Sequence, residues 1–486
     1  MNTYPKTLKN KVLYLFLVTL LLGDFGYSFL QYQNTQIGGD IAGGVVPAKQ
    51  VKPILEDPFG IQVILADKKY PNPNRFFSHW FFKKYFRTVP LLLQKFVSPV
   101  ASIYLASALI KLLTHLALLF LLAKGISQSK LGSIDFLLAA LLVTPLFQAN
   151  GYVRMSLINK SITYAFFYII PLTILAFFLY PFLSHIVFNK PFKFIFFTHA
   201  LLIELVLIIP FSGPLNTGIS LIISLLLFFY YYQQIEPKRD IWKNISQTLK
   251  IIPRSIKLYF IPLSILCVYS LYLGTQASPF QNGLEIPSLA ERYSRLPAGL
   301  FYLLTTKIGF PLFILSTLVN VFLIAKDNSN NAARIYKMSK WILVFAIIYL
   351  LALPFGGYRP YRFNIIRDDT FVPITLALIF LYGISTFHLL KSLKRYKHLF
   401  AAWVVAFLLI FEFADIPNFA DNNLEKNALI EISKSTDPVV KLDCNCKILS
   451  WHVIHNPKES ELNAKLLQQW GITKSRKLYY NVEPKK

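Results

Sequence analysis

Long apolar runs separated by short basic connections set the pattern of this chain. The first run, Val12 to Leu30, follows Lys6, Lys9 and Lys11. No small-residue cleavage site closes it and many more runs follow. It therefore reads as an uncleaved helix with its N-terminus inside, rather than as a removable signal. Ten further runs, near 99–123, 134–149, 162–183, 194–211, 215–232, 258–275, 300–325, 341–354, 371–390 and 399–414, have about the length a bilayer requires. The pair joined by "PFSGPLN" also fits one re-entrant hairpin. The pattern predicts an all-α polytopic membrane protein of eleven helices.

Alternation puts the connections near 124–133, 184–193, 233–257, 326–340 and 391–398 inside, and each carries lysine or arginine, as the positive-inside rule asks. Two long segments then lie outside: a first loop, 31–98, and a tail, 415–486. The expected organisation is a membrane domain over 1–414 and an extracytoplasmic α+β unit over 415–486, with the N-terminus cytoplasmic and the C-terminus periplasmic in an inner membrane.

Composition agrees with that class. Of 486 residues, 55% are hydrophobic and only 15% charged. The net charge of +26 raises nucleic acid as a partner, but the Lys and Arg are scattered in short clusters between apolar runs, which argues against it and for membrane lipids. Three cysteines make no disulfide framework.

Chemistry concentrates in two outside segments. The first loop opens with "QIGGDIAGG", residues 36 to 44, where Asp40 stands among four glycines that free the backbone for positive φ or close approach. "ILEDPFG" adds Glu56 and Asp57, and "YPNPN" breaks any helix. "RFFSHWFFKKYFRTVPLLLQKF" then mixes aromatics and His79 with Lys83, Lys84, Arg87 and Lys95. That mixture suits a helix lying in the membrane interface, either as a simple anchor or beside lipid phosphates.

A short inside N-terminus, one span, a long outside loop with an early acid, many further spans and an outside tail together resemble the GT-C class of glycosyltransferases. The resemblance implies a polyprenyl-phosphate-linked sugar donor and a catalytic carboxylate in the first outside loop. On that pattern Asp40 takes the catalytic position, with Glu56 or Asp57 as a second carboxylate. It leaves a divalent metal cofactor open. Inverting sugar transfer needs one general base at the acceptor hydroxyl and stabilisation of a departing phosphate. The competing reading is that Asp40 only caps a turn.

The second segment is "PFGGYRPYRFNIIRDDTFVP", residues 354 to 373. Its Arg359, Arg362 and Arg367 stand where positive charge should be depleted. Arginine forks onto phosphate oxygens, and Tyr358 and Tyr361 offer ring faces to a sugar or isoprenoid; His79 joins this candidate substrate-binding set. The alternative is a structural lock of these arginines on Asp368 and Asp369.

Other features favour other classes. Lys111 and His115 on one span, with Glu204 and His199 on another, are intramembrane ionisable groups of the kind transporters use, and Lys111–Glu204 could pair. No repeat symmetry accompanies them. An O-antigen polymerase or ligase would use outside arginines without an acid in the first loop. In the tail, "KILSWHVI" and "RKLYYNV" suit strands, and Asn456, Pro457 and Gly471 bracket a helix. Cys444, Cys446, His452 and His455 lack zinc-site spacing, so a disulfide or two free thiols is expected there instead of a metal.

Overall fold

The computed structural model describes residues 8–149, 155–192, 195–236, 239–278, 287–356, 362–414 and 419–482. The first half runs α1 (Leu8–Gln33), α2 (Ile41–Val45), α3 (Lys52–Glu56), α4 (Ile61–Leu65), α5 (Phe76–Leu93), α6 (Pro99–Ser127), α7 (Ile134–Leu141), α8 (Ile162–Phe188), α9 (Phe196–Ile208) and α10 (Pro214–Tyr232). It continues with α11 (Ile241–Ile251), α12 (Arg254–Thr275), α13 (Leu289–Thr305), α14 (Gly309–Ala325), α15 (Asn330–Ala352), α16 (Asp368–Ser392) and α17 (Lys397–Glu412). The fold is all-α and multi-pass. Side-chain caps fix several starts: Ser98 accepts from Ala101 N at 3.3 Å ahead of Pro99, and Ser133 and Ser329 do the same for α7 and α15.

The span count differs from the periodicity reading. Among the described residues, seven helices are long and apolar enough to cross a membrane, and eight if one bent pair is a single span. That pair is α13 and α14, which meet at 88° where the sequence predicts one helix over 300–325. The runs near 134–149 and 194–211 form only short apolar helices, Ile134–Leu146 and Phe196–Ile208. The 16 residues of α17 reach about 24 Å, short of a ~30 Å hydrocarbon core. Apolar run length alone does not register where the chain bends.

The tail holds α18 (Phe419–Lys434), β3 (Val439–Leu442), α19 (Glu461–Gln469) and β4 (Leu478–Asn481); a short pair, β1 (Gln148–Ala149) and β2 (Met155–Ser156), lies earlier. Strands β3 and β4 pair in parallel from Val439↔Leu478 to Leu442↔Asn481. The strand expected over "KILSWHVI" does not form: the chain turns there through Leu449 at φ +49°. The expected helix does form, Asn456 accepting from Lys458 N at 3.0 Å and Gly471 closing it at φ +67°. Cys444 and Cys446 are disulfide-bonded. His452 meets Glu459 at 3.4 Å while His455 meets the Asn481 carbonyl oxygen, so the two histidines serve different partners.

The first loop and the tail dock on each other, so they share one side of the bundle. Trp470 is fully buried and its Nε1–H donates to the Phe86 carbonyl at 2.8 Å. The aromatic helix α5 packs one face on protein and leaves another exposed. Phe82 and Phe86 face protein, against Phe166 and Trp470, while Trp80, Leu91 and Leu92 point outward. Trp470 of the tail supplies part of that packing, and a local reading cannot see it.

The expected Lys111–Glu204 pair is also absent. Lys111 donates to the Lys160 carbonyl, and Glu204 is exposed. A different polar chain runs between helices. Tyr32 OH meets His115 Nδ1 at 3.1 Å and His115 Nε2 meets Thr144 Oγ1 at 2.9 Å. Thr144 donates to Asp24 Oδ2 at 2.7 Å, and Asp24 is hydrogen-bonded to Glu412.

Candidate functional site

Asp40 stands at the N-cap position of α2, yet its side chain makes no cap bond. It is exposed, and its carboxylate has no hydrogen bond or ion pair to any described residue, while its carbonyl accepts from Gly44 N at 3.0 Å. The turn-cap alternative thus lacks the bond that defines it. The two residues before it, Gly38 and Gly39, have φ of +28° and +81°. A Cβ at Gly39 would fall 2.6 Å from the Trp451 ring, so glycine is required both by conformation and by the tail lying on it.

Glu425 of α18 fixes this arrangement. Its buried carboxylate accepts from Ile37 N at 2.8 Å, Gly38 N at 3.5 Å, Leu449 N at 3.1 Å and Tyr104 OH at 2.9 Å. One side chain therefore ties the entry to Asp40, the tail turn before Trp451, and α6. Burial pushes the Glu425 carboxyl above its usual range, and the four donors pull the other way.

The arginine loop reaches the same place. Tyr164, at the start of α8, lies 5.7 Å from Trp451 between ring centroids, with the planes 31° apart. Its hydroxyl accepts from Arg362 Nη2 at 2.6 Å, and the Arg362 guanidinium sits 5.7 Å from its ring centroid. Arg362 also donates to Asp369 Oδ2 at 3.2 Å, while Arg367 forks onto both Asp369 oxygens at 3.0 and 3.2 Å. Two guanidinium groups thus share one carboxylate. The lock that the sequence offers as an alternative is present on Asp369, and it holds the arginines in place. Arg359, Tyr358 and Tyr361 lie outside the described residues.

The remaining candidates sit elsewhere. Asp57 is buried and accepts from Ile61 N, Gln62 N and Tyr70 OH at 2.8–2.9 Å, which shapes the turn into α4. Beside that carboxylate and under burial, the Tyr70 phenol is pushed well above its ordinary value. Tyr70 belongs to a separate apolar cluster with Ile54, Val63, Phe211 and Leu273. Glu56 is exposed at the end of α3. His79 is buried edge-on to Phe167 at 4.6 Å, and the Arg75 guanidinium lies 5.5 Å from that ring. Phe167 lies in a π-helical stretch of α8, Ala165–Ile169, that begins directly after Tyr164. One turn on from His79, burial and the Arg87 charge hold the Lys83 ammonium below its ordinary value.

Sequence reasoning missed Tyr164, Trp451 and Glu425. Each is an ordinary residue in its local run, and only the partner segment gives it a role. Among the described residues no three His, Cys, Asp or Glu side chains gather as a metal site would require. Compared with protein-family models, with curated proteins and with solved structures, the chain has no match.

Proposed function

We propose that this chain is a GT-C-like membrane glycosyltransferase that moves a sugar from a polyprenyl-phosphate donor to a glycan, lipid or protein acceptor at the periplasmic face of an inner membrane. One observation carries the reading. Gly39, the residue before the exposed acid Asp40, lies against Trp451, and Tyr164 beside Trp451 holds Arg362 of a distant loop. A base and a phosphate clamp must flank one anomeric carbon, and the chain of contacts from Gly39 through Trp451 and Tyr164 to Arg362 supports that reading. In the proposed step Asp40 takes the acceptor hydroxyl proton and the acceptor oxygen bonds to the anomeric carbon. The bond from that carbon to the phosphate oxygen breaks, its electron pair leaving with the lipid phosphate. Arg362 and Arg367 stabilise that charge.

The test is direct. Purified protein in nanodiscs should bind undecaprenyl phosphate, and Arg362→Lys should weaken binding, because lysine keeps the charge and loses the fork. Absence of binding by the unaltered protein would overturn the donor assignment. The buried Asp24–Thr144–His115 chain favours a transporter as the second reading. An Asp40→Asn variant with full function and a loss of function in Asp24→Asn would select it.

A further inference from the structure

We propose that Trp451 is an aromatic platform for a sugar ring, so that the tail supplies the acceptor subsite and the acceptor is a glycan. The proposal rests on the glycosyltransferase reading and adds the class of its second substrate.

Trp451 is 46% exposed, although it lies over the Gly39 backbone and beside Tyr164. A large ring held against the protein and still nearly half exposed is the kind of surface a pyranose stacks on, its axial C–H groups meeting the π face. The indole Nε1–H has no partner among the described residues, whereas Trp470 gives its own to the Phe86 carbonyl and Trp403 points its own at Ser316. A free donor at the edge of an open ring is suited to a sugar hydroxyl.

The neighbours are those of a sugar site rather than of a lipid-tail groove. The residue after Gly39 is Asp40, an exposed carboxylate able to accept from hydroxyls. On the other side Tyr164 carries Arg362. Next along the tail, His452 and Glu459 form an exposed polar pair. An isoprenoid chain would take the Asp40 carboxylate out of water and offer it no hydrogen bond, at a cost in desolvation.

The position of Trp451 is built in from two sides. Leu449 N–H is held by Glu425, and the same carboxylate holds Ile37 and Gly38. The platform and the acid therefore keep a fixed relation, which a sugar needs if one hydroxyl is to stand at Asp40 while its ring stacks on the indole.

The experiment uses the full chain in nanodiscs on an array of hexose, N-acetylhexosamine and deoxyhexose oligosaccharides. Binding to a subset is expected. It should fall about tenfold or more in Trp451→Ala and stay within a few-fold in Trp451→Phe, which keeps an aromatic face. Thermal stability of each variant, compared with the unaltered chain, separates loss of the platform from loss of tail docking. No binding to any array glycan, or equal binding by a folded Trp451→Ala, overturns the proposal. Undecaprenyl phosphate binding on the same preparation keeps the readings apart: donor binding without glycan binding defeats only the platform, and glycan binding without donor binding defeats only the donor assignment.

Discussion

At Gly39 the sign of one dihedral and the absence of one carbon decide whether the tail can lie against the first loop. Its φ of +81° is costly for any L-residue, and its missing Cβ makes room for Trp451. Gly39→Ala should cost about 1–2 kcal/mol from the backbone alone, and more if the indole cannot shift. A thermal denaturation series with Trp451→Ala as partner checks it: the double variant should recover the part due to the clash and keep the part due to φ. Asp40 behaves oppositely. Its carboxylate is exposed and makes no hydrogen bond or ion pair to a described residue, so Asp40→Asn should leave stability unchanged while reducing turnover by ~10²–10⁴ if it is the base. Near-normal turnover in membranes would remove Asp40 from the mechanism.

Elements decide how the arginines are held. Helix α16 begins at Asp368, and Asp369 in its first turn accepts from Arg362 and Arg367 together. The carboxylate is only 6% exposed, and its removal takes from both guanidinium groups the acceptor they share. Asp369→Ala should therefore destabilise by about 3 kcal/mol, the lower end for breaking a buried pair, because the arginines are about a quarter exposed. Arg362→Lys should show the contrary pattern. A point charge can reach Asp369 or Tyr164 but not both, so lipid-phosphate binding should fall more than thermal stability does. Equal losses in both measurements would make the network structural only.

The whole molecule is held at its outer face by tail docking. Trp470 contributes a fully buried indole and a hydrogen bond to Phe86, and Gln94 donates back to the Trp470 carbonyl at 2.6 Å. Trp470→Ala should cost about 3–5 kcal/mol and free the tail, read as faster proteolysis between residues 415 and 486 with the membrane helices intact. Residues of the first loop, the arginine loop and the tail touch through Trp451 and Tyr164, so all three lie on one side of the membrane. A phosphatase fused at Lys486 should be active if that side is the periplasm, and a fluorescent protein there should be dark. The reverse would put the proposed site inside the cell.

What the sequence by itself determined is local in origin. Apolar runs mark the membrane class, basic connections give the sidedness expectation, glycines around Asp40 mark a special turn, and Asn456, Pro457 and Gly471 bracket their helix. Each depends on residues within a few positions, where bilayer thickness, backbone sterics and capping act directly. The tertiary structure decided the rest. It bent α13 against α14, turned "KILSWHVI" away from strand, packed Phe82 and Phe86 of α5 against protein, and drew Asp57 into a turn. It also gave Glu425, Trp451 and Tyr164 their places at the candidate site, because a carboxylate that binds Ile37 from residue 425, or an indole that rests on Gly39 from residue 451, is defined by partners hundreds of residues away. No period or spacing in the chain encodes those contacts; they exist only once the helices have packed.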